Sequence, residues 1–205
     1  MKNVVLVLIA GICLCWVACA HRNGQPASDQ QDSLSRQDSS KNTFFPVAEY
    51  LEAEILRIDS FPEALRKFTT RDGHTDTVYI RVPEFNALAM QFLAPAFING
   101  SFQKDYEETS FMDRSTETAT FTYSARGKDL PLQRVDVVTI GEGGVNKVRS
   151  VYQETSKVAG DSTIFQKLYW QTNHQLQIIS LITVKGRPSV RQQVKVVWDP
   201  EEGNE

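Results

Sequence analysis

Glu117-Thr-Ala-Thr-Phe-Thr-Tyr123 has a period of two: Ala119, Phe121 and Tyr123 alternate with Thr118, Thr120 and Thr122. In an extended chain that period places the first set on one face and the threonines on the other. Segments of similar character follow at 132–140, 145–156, 162–172, 175–185 and 189–198. Turn signals separate them: Arg126-Gly127-Lys128-Asp129, Gly141-Glu142-Gly143-Gly144, Gly160-Asp161, Thr172-Asn173 and Gly186-Arg187-Pro188. Short strands joined by short turns predict an up-and-down antiparallel meander. In the last strand the pattern predicts Val190, Val194, Val196 and Trp198 inward, with Arg191, Gln193 and Lys195 facing water.

Upstream the period changes. Val47, Tyr50, Leu51, Ile55 and Ile58 share one helical face, and Pro46 suits a first turn. Leu65–Thr70 and Thr77–Val82 flank an Asp72-Gly73 step, which predicts a hairpin. A second helix is expected to open at Pro83, to bury Phe85, Leu88, Ala89, Phe92, Leu93 and Ala96, and to end at Pro95 and Asn99-Gly100. The expected fold is therefore α+β: an antiparallel meander sheet of about six to eight strands packed on two N-terminal-half helices.

The N-terminus is of another kind. Val4 to Ala20 is uncharged and apolar, follows Lys2, and is ended by His21-Arg22-Asn23. A positive start, an apolar run and small residues before a cut form a secretory signal. Trp16-Val17-Ala18-Cys19 resembles the lipobox of bacterial lipoproteins, in which the cysteine is acylated and becomes the new N-terminus. Val17 and Ala18 match that pattern, while Trp16 stands where the family has Leu. The resemblance implies a signal peptide over residues 1–18 and lipid attachment at Cys19. Two other readings fit the same run: an uncleaved anchor, and a plain secretory signal cut after Ala18 or Ala20. Cys13 and Cys15 have no polar or basic neighbour to favour a thiolate, so a redox or metal pair is not expected.

Residues 20–43 hold one large apolar residue, Leu34, among Ser, Gln, Asp and Asn. Such a stretch buries too little to offset its ordering entropy and reads as a tether. As a random coil it reaches roughly 25–30 Å. The expected organisation is a signal peptide at 1–18, lipidated Cys19 with a tether to 43, one domain over 44–200 and a tail at 201–205.

The net charge of −3 argues against a nucleic-acid partner. His21, His74 and His174 have no second ligand at metal spacing, and Asp72-Gly-His-Thr-Asp76 lacks the spaced oxygens of a calcium loop. No GxSxG elbow occurs, and Gly141-Glu-Gly-Gly144 leads into a strand and not the helix that a phosphate loop needs. Glu107-Glu108 and Glu201-Glu202 read as charged surface. No catalytic residue, metal or cofactor is expected. The aromatic residues are the candidates for binding. Tyr169, Trp170 and Trp198 fall on neighbouring or near-neighbouring strands, and adjacent Tyr169 and Trp170 must point to opposite faces. They read either as core packing or, with Phe92, as the lining of an apolar or sugar site.

The layout resembles that of envelope lipoproteins of the Bacteroidota. The likeness rests on the signal, the Ser/Gln/Asp tether, FFPVAEYLEAEI at 44–55, LPLQRVDVVTI at 130–140 and LYWQTN at 168–173. It implies a lipid-anchored envelope location and no particular activity. Surface display in that group goes with an acidic run after the cysteine, and Ala20-His-Arg-Asn-Gly-Gln25 has none, which implies a domain facing the periplasm. Two functions are expected: a non-catalytic protein that binds an envelope partner or aids assembly, or a carrier of lipid or a small ligand on a concave sheet face.

Overall fold

The computed structural model describes residues 44–60, 65–142 and 145–198. The signal, Cys19, the tether and the tail lie outside the described residues. Nine strands form one open antiparallel sheet. In chain order they are β1 (Leu65–Arg71), β2 (His74–Ile80), β3 (Tyr106–Asp113), β4 (Thr118–Ala125), β5 (Leu132–Glu142), β6 (Val145–Ala159), β7 (Ser162–Gln171), β8 (Gln175–Val184) and β9 (Val190–Val197). Strands β3 to β9 run as a meander, and the β1–β2 hairpin adds to the free side of β9. The fold is thus α+β and dominated by its sheet.

The turns follow local chemistry. Arg71 pairs with His74 around Asp72 and Gly73, whose φ angles are +50° and +81°. Two positive φ values in a two-residue loop match the twist of the flanking strands, and Asp-Gly is a favoured pair for them. Asn173, at φ +66°, turns β7 into β8 by the same tolerance of asparagine for that region.

Register then selects one face of the sheet for the core. Val135, Gln153, Leu168 and Ile178 align across β5 to β8, and Val137, Val151, Trp170, Leu176 and Val196 align across β5 to β9. All nine are buried. Tyr123 joins them from β4, with Phe121 and Ala125 packed alongside. Thr122 points the other way, and its hydroxyl donates to Asp136 at 2.7 Å.

Helix α1 (Val47–Asp59) gives Val47, Leu51, Ile55 and Ile58 to the same cluster. Helix α2 (Val82–Ala89) gives Phe85 and Ala89. Phe85 meets Trp170 at 6.2 Å and Trp198 at 5.7 Å, edge to face, and the two indoles lie 5.4 Å apart. Such pairs add about 0.5–1.5 kcal/mol each beyond area burial.

Three features differ from the expectations. The second helix is not continuous: α2 passes into a 3₁₀ turn at Met90–Phe92, stops at Leu93, and resumes as the short α3 (Pro95–Ile98) and α4 (Phe102–Asp105). Pro95 has no N–H to donate to the Gln91 carbonyl, and its ring holds Ala94 extended at ψ +140°. There is also a ninth strand, β3. It is an edge strand whose residues pack on one side only, so Tyr-Glu-Glu-Thr-Ser-Phe-Met-Asp shows no clean alternation. Finally, Val196 of β9 and Trp198 just after it are buried, whereas Val194 is half-buried and Val190 is 38% exposed. The inward positions become polar in this direction: Thr155, Gln166, Ser180 and Gln192 align across β6 to β9.

The two faces at positions 169 and 170 make a stability prediction. Trp170→Ala should cost about 3–5 kcal/mol in urea unfolding, as for other buried aromatics. Tyr169→Ala, on the half-buried face, should cost about 1 kcal/mol. Equal losses would contradict the assignment of faces.

Candidate functional site

The break at Leu93–Pro95 opens a concavity beside the sheet. Up to Phe92 the helical segment lies on the sheet: Phe92 is fully buried and stands edge-on to Trp170 at 5.4 Å. Its carbonyl, deprived of the Ala96 amide by the break, accepts a 2.9 Å hydrogen bond from the Gln153 side chain. Gln153 is itself fully buried on β6. Beyond this point apolar packing continues through Phe102, which meets Phe97 and Tyr106 at 4.8 Å and Tyr123 at 5.1 Å, while the sheet row at Thr155 and Gln166 is polar.

A cleft of about 720 Å³ fills the junction. One wall is Met90, Leu93, Ala94, Pro95 and Ala96; the other is Leu130, Pro131 and Leu132 with Thr155, Ser156 and Gln166 of β6 and β7. Ala94, Tyr106 and Leu132 are nearly or fully buried and form its apolar floor. Gln91, Asn99, Ser101, Asp105 and Lys157 complete the lining. Gln166 donates to Gln91 at 3.2 Å and to Ser180 at 3.1 Å, a polar link between helical segment and sheet at one end of the cleft.

Tyr106 fixes the floor. Its hydroxyl donates to the Leu132 carbonyl at 2.7 Å, and its own carbonyl accepts from Arg126 Nε at 3.1 Å. Burial pushes its phenol up to about 12, and the Asp105 charge adds to the effect. Tyr123 is also pushed up to about 12, chiefly by burial, while its oxygen accepts the Phe45 amide at 3.0 Å. Tyr50, bonded to the Thr172 hydroxyl at 2.5 Å, is raised to about 12 for the same first reason.

The four aromatic residues singled out in the sequence do not form one site. Phe92, Trp170 and Trp198 sit together in the core. Tyr169 lies on the opposite face, half-buried and paired across strands with Tyr152. None of the four lines the 720 Å³ cleft. The side chains that do were missed because Leu93, Ala94 and Ala96 carry the same pattern as helix core; Pro95 was the signal available, since it frees this segment from the helix.

His74 and its neighbours Asp72 and Asp76 are exposed in the β1–β2 hairpin. Among the described residues no group of three or more His, Cys, Asp or Glu is placed to hold a metal ion. No helix among them is long and apolar enough to cross a membrane. No protein-family model matches the chain, and no curated protein is significantly similar to it.

The tyrosines make a pH prediction. A phenol that holds its proton more tightly in the folded state contributes stability that is complete below its unfolded pKa near 10 and is lost as pH rises through about 12. Urea midpoints should therefore be flat from pH 8 to about 10 and fall towards 12. Tyr106→Phe should lower the neutral-pH midpoint and flatten the alkaline fall. An alkaline fall as steep as in the wild type would remove Tyr106 from this account.

Proposed function

We propose that this chain is a lipid-anchored protein of the bacterial cell envelope, held through Cys19 on the periplasmic side, that acts without catalysis by holding an amphiphilic ligand in the cleft. The sheet packed on its two N-terminal-half helices serves as the scaffold. One observation carries the reading: a 720 Å³ cleft with a buried apolar floor and a polar rim. That size is typical of small-molecule sites, roughly 300–1,000 Å³, and a few polar groups over an apolar floor suit a chain-like ligand with a polar end. The tether supports the reading, since a reach of roughly 25–30 Å keeps the domain within range of a bilayer, where such ligands concentrate.

A second reading, binding of an envelope protein partner, is favoured by the outer edge of β3. There Phe111 and Met112 are 70% and 61% exposed on a strand paired on one side only. Exposed apolar residues on a free edge suit addition of a strand from a partner.

The ligand reading predicts that 1-N-phenylnaphthylamine, a neutral apolar probe, gains fluorescence on binding. Ala96→Trp, which fills the cleft, should weaken that binding at least tenfold. No enhancement, or equal enhancement in the variant, would contradict it. For the anchor, the wild-type protein should incorporate labelled palmitate in cells and Cys19→Ala should not. Absence of label from the wild-type protein, or equal label in Cys19→Ala, would show the lipid-anchor reading to be wrong.

A further inference from the structure

Two features of the cleft restrict what fits it, given the ligand-holding reading above on which this inference rests. The first is volume. At roughly 30 Å³ per water-sized group, 720 Å³ corresponds to about two dozen groups, the size of one acyl chain with part of a head.

The second is charge. Of the residues that line the cleft, Lys157 is the one cation and Asp105 the one anion. Lys157 is exposed at the end of β6, and Asp105 is half-buried where α4 meets β3. Among the described residues neither side chain takes part in an ion pair, with each other or with a third group. The polar rim therefore offers one ammonium and one carboxylate above an apolar floor, with Lys104 and Arg126 beside Asp105 on its outer side. An anionic amphiphile would satisfy Lys157 and meet Asp105 as a like charge. A cationic one would do the reverse. A head that carries both a phosphate and an ammonium satisfies both, with the phosphate at Lys157 and the ammonium at Asp105. Gln91, Asn99 and Gln166 also line the cleft and add neutral donors and acceptors for the linking ester and hydroxyl.

We infer that the cleft selects a single-chain zwitterionic phospholipid, of the lysophosphatidylethanolamine type. The selectivity is modest, since an exposed ion pair contributes up to about fivefold in affinity.

The test is calorimetric titration of the purified protein, below micelle-forming concentrations, with three ligands of equal chain length. They are lysophosphatidylethanolamine, lysophosphatidylglycerol and an alkyltrimethylammonium salt. The zwitterion should bind about fivefold more tightly than either singly charged ligand. In Lys157→Gln the preference should move to the cation, and in Asp105→Asn to the anion, with melting temperatures and circular dichroism as in the wild type. Equal affinity for the three heads, or a preference that neither variant moves, would overturn the head-group assignment. In those cases binding of the neutral naphthylamine probe would leave the ligand-holding reading standing. Failure of all three ligands and of the probe to bind would overturn both.

Discussion

Trp170 and Trp198, packed 5.4 Å apart against Phe85, determine which side of the sheet is the inside. The two indoles come from β7 and from the residue after β9, and Phe85 comes from α2. Their contact brings the helical segment onto the sheet at one place. It also fixes register, because a slip of one residue in β7 would exchange Trp170 with Tyr169 and turn the core row outward. The rest of the cover follows from this point: α1 adds its apolar face to the same cluster, and Phe92 follows Phe85 onto Trp170. A second aromatic group, Phe97, Phe102, Tyr106 and Tyr123, continues the cover over β3 and β4, and between the two groups the sheet's inward positions turn polar at Thr155, Gln166, Ser180 and Gln192.

The cleft is a consequence of that boundary and of one proline. Pro95 ends the helical run that Phe92 holds down, and Gln153 satisfies the carbonyl that the break leaves behind. Ala94 and Ala96 then line one wall with little bulk, and Tyr106, tied to Leu132, closes the bottom.

Much of the sheet was legible in the sequence, because period-two patterning and turn chemistry are local properties. Thr118–Tyr123, the Asp72-Gly73 turn and the strands from β5 to β9 all carry that signal. What escaped depends on position in the sheet. β3 is an edge, so burial does not impose alternation on it, and Phe111 and Met112 are both exposed. Val190 and Val194 alternate like buried residues, but nothing in β9 says how far the helical cover extends. The cleft was the least legible. Its floor joins Ala94, Tyr106 and Leu132, which lie far apart in the chain and meet only through the order of the strands. The aromatic residues drew attention instead, because large side chains are conspicuous, and three of those four serve packing.

The central claim is that binding happens at the break in the helical cover and not on the open face of the sheet or at its edge. Backbone-amide NMR during titration with lysophosphatidylethanolamine tests it most directly. The account predicts shifts that saturate together at residues 90–101, 130–132 and 155–157, with Tyr152, Tyr169 and the β3 edge unchanged. Saturating shifts centred on Tyr152 and Tyr169 or on Phe111 and Met112, with the cleft residues still, would contradict it.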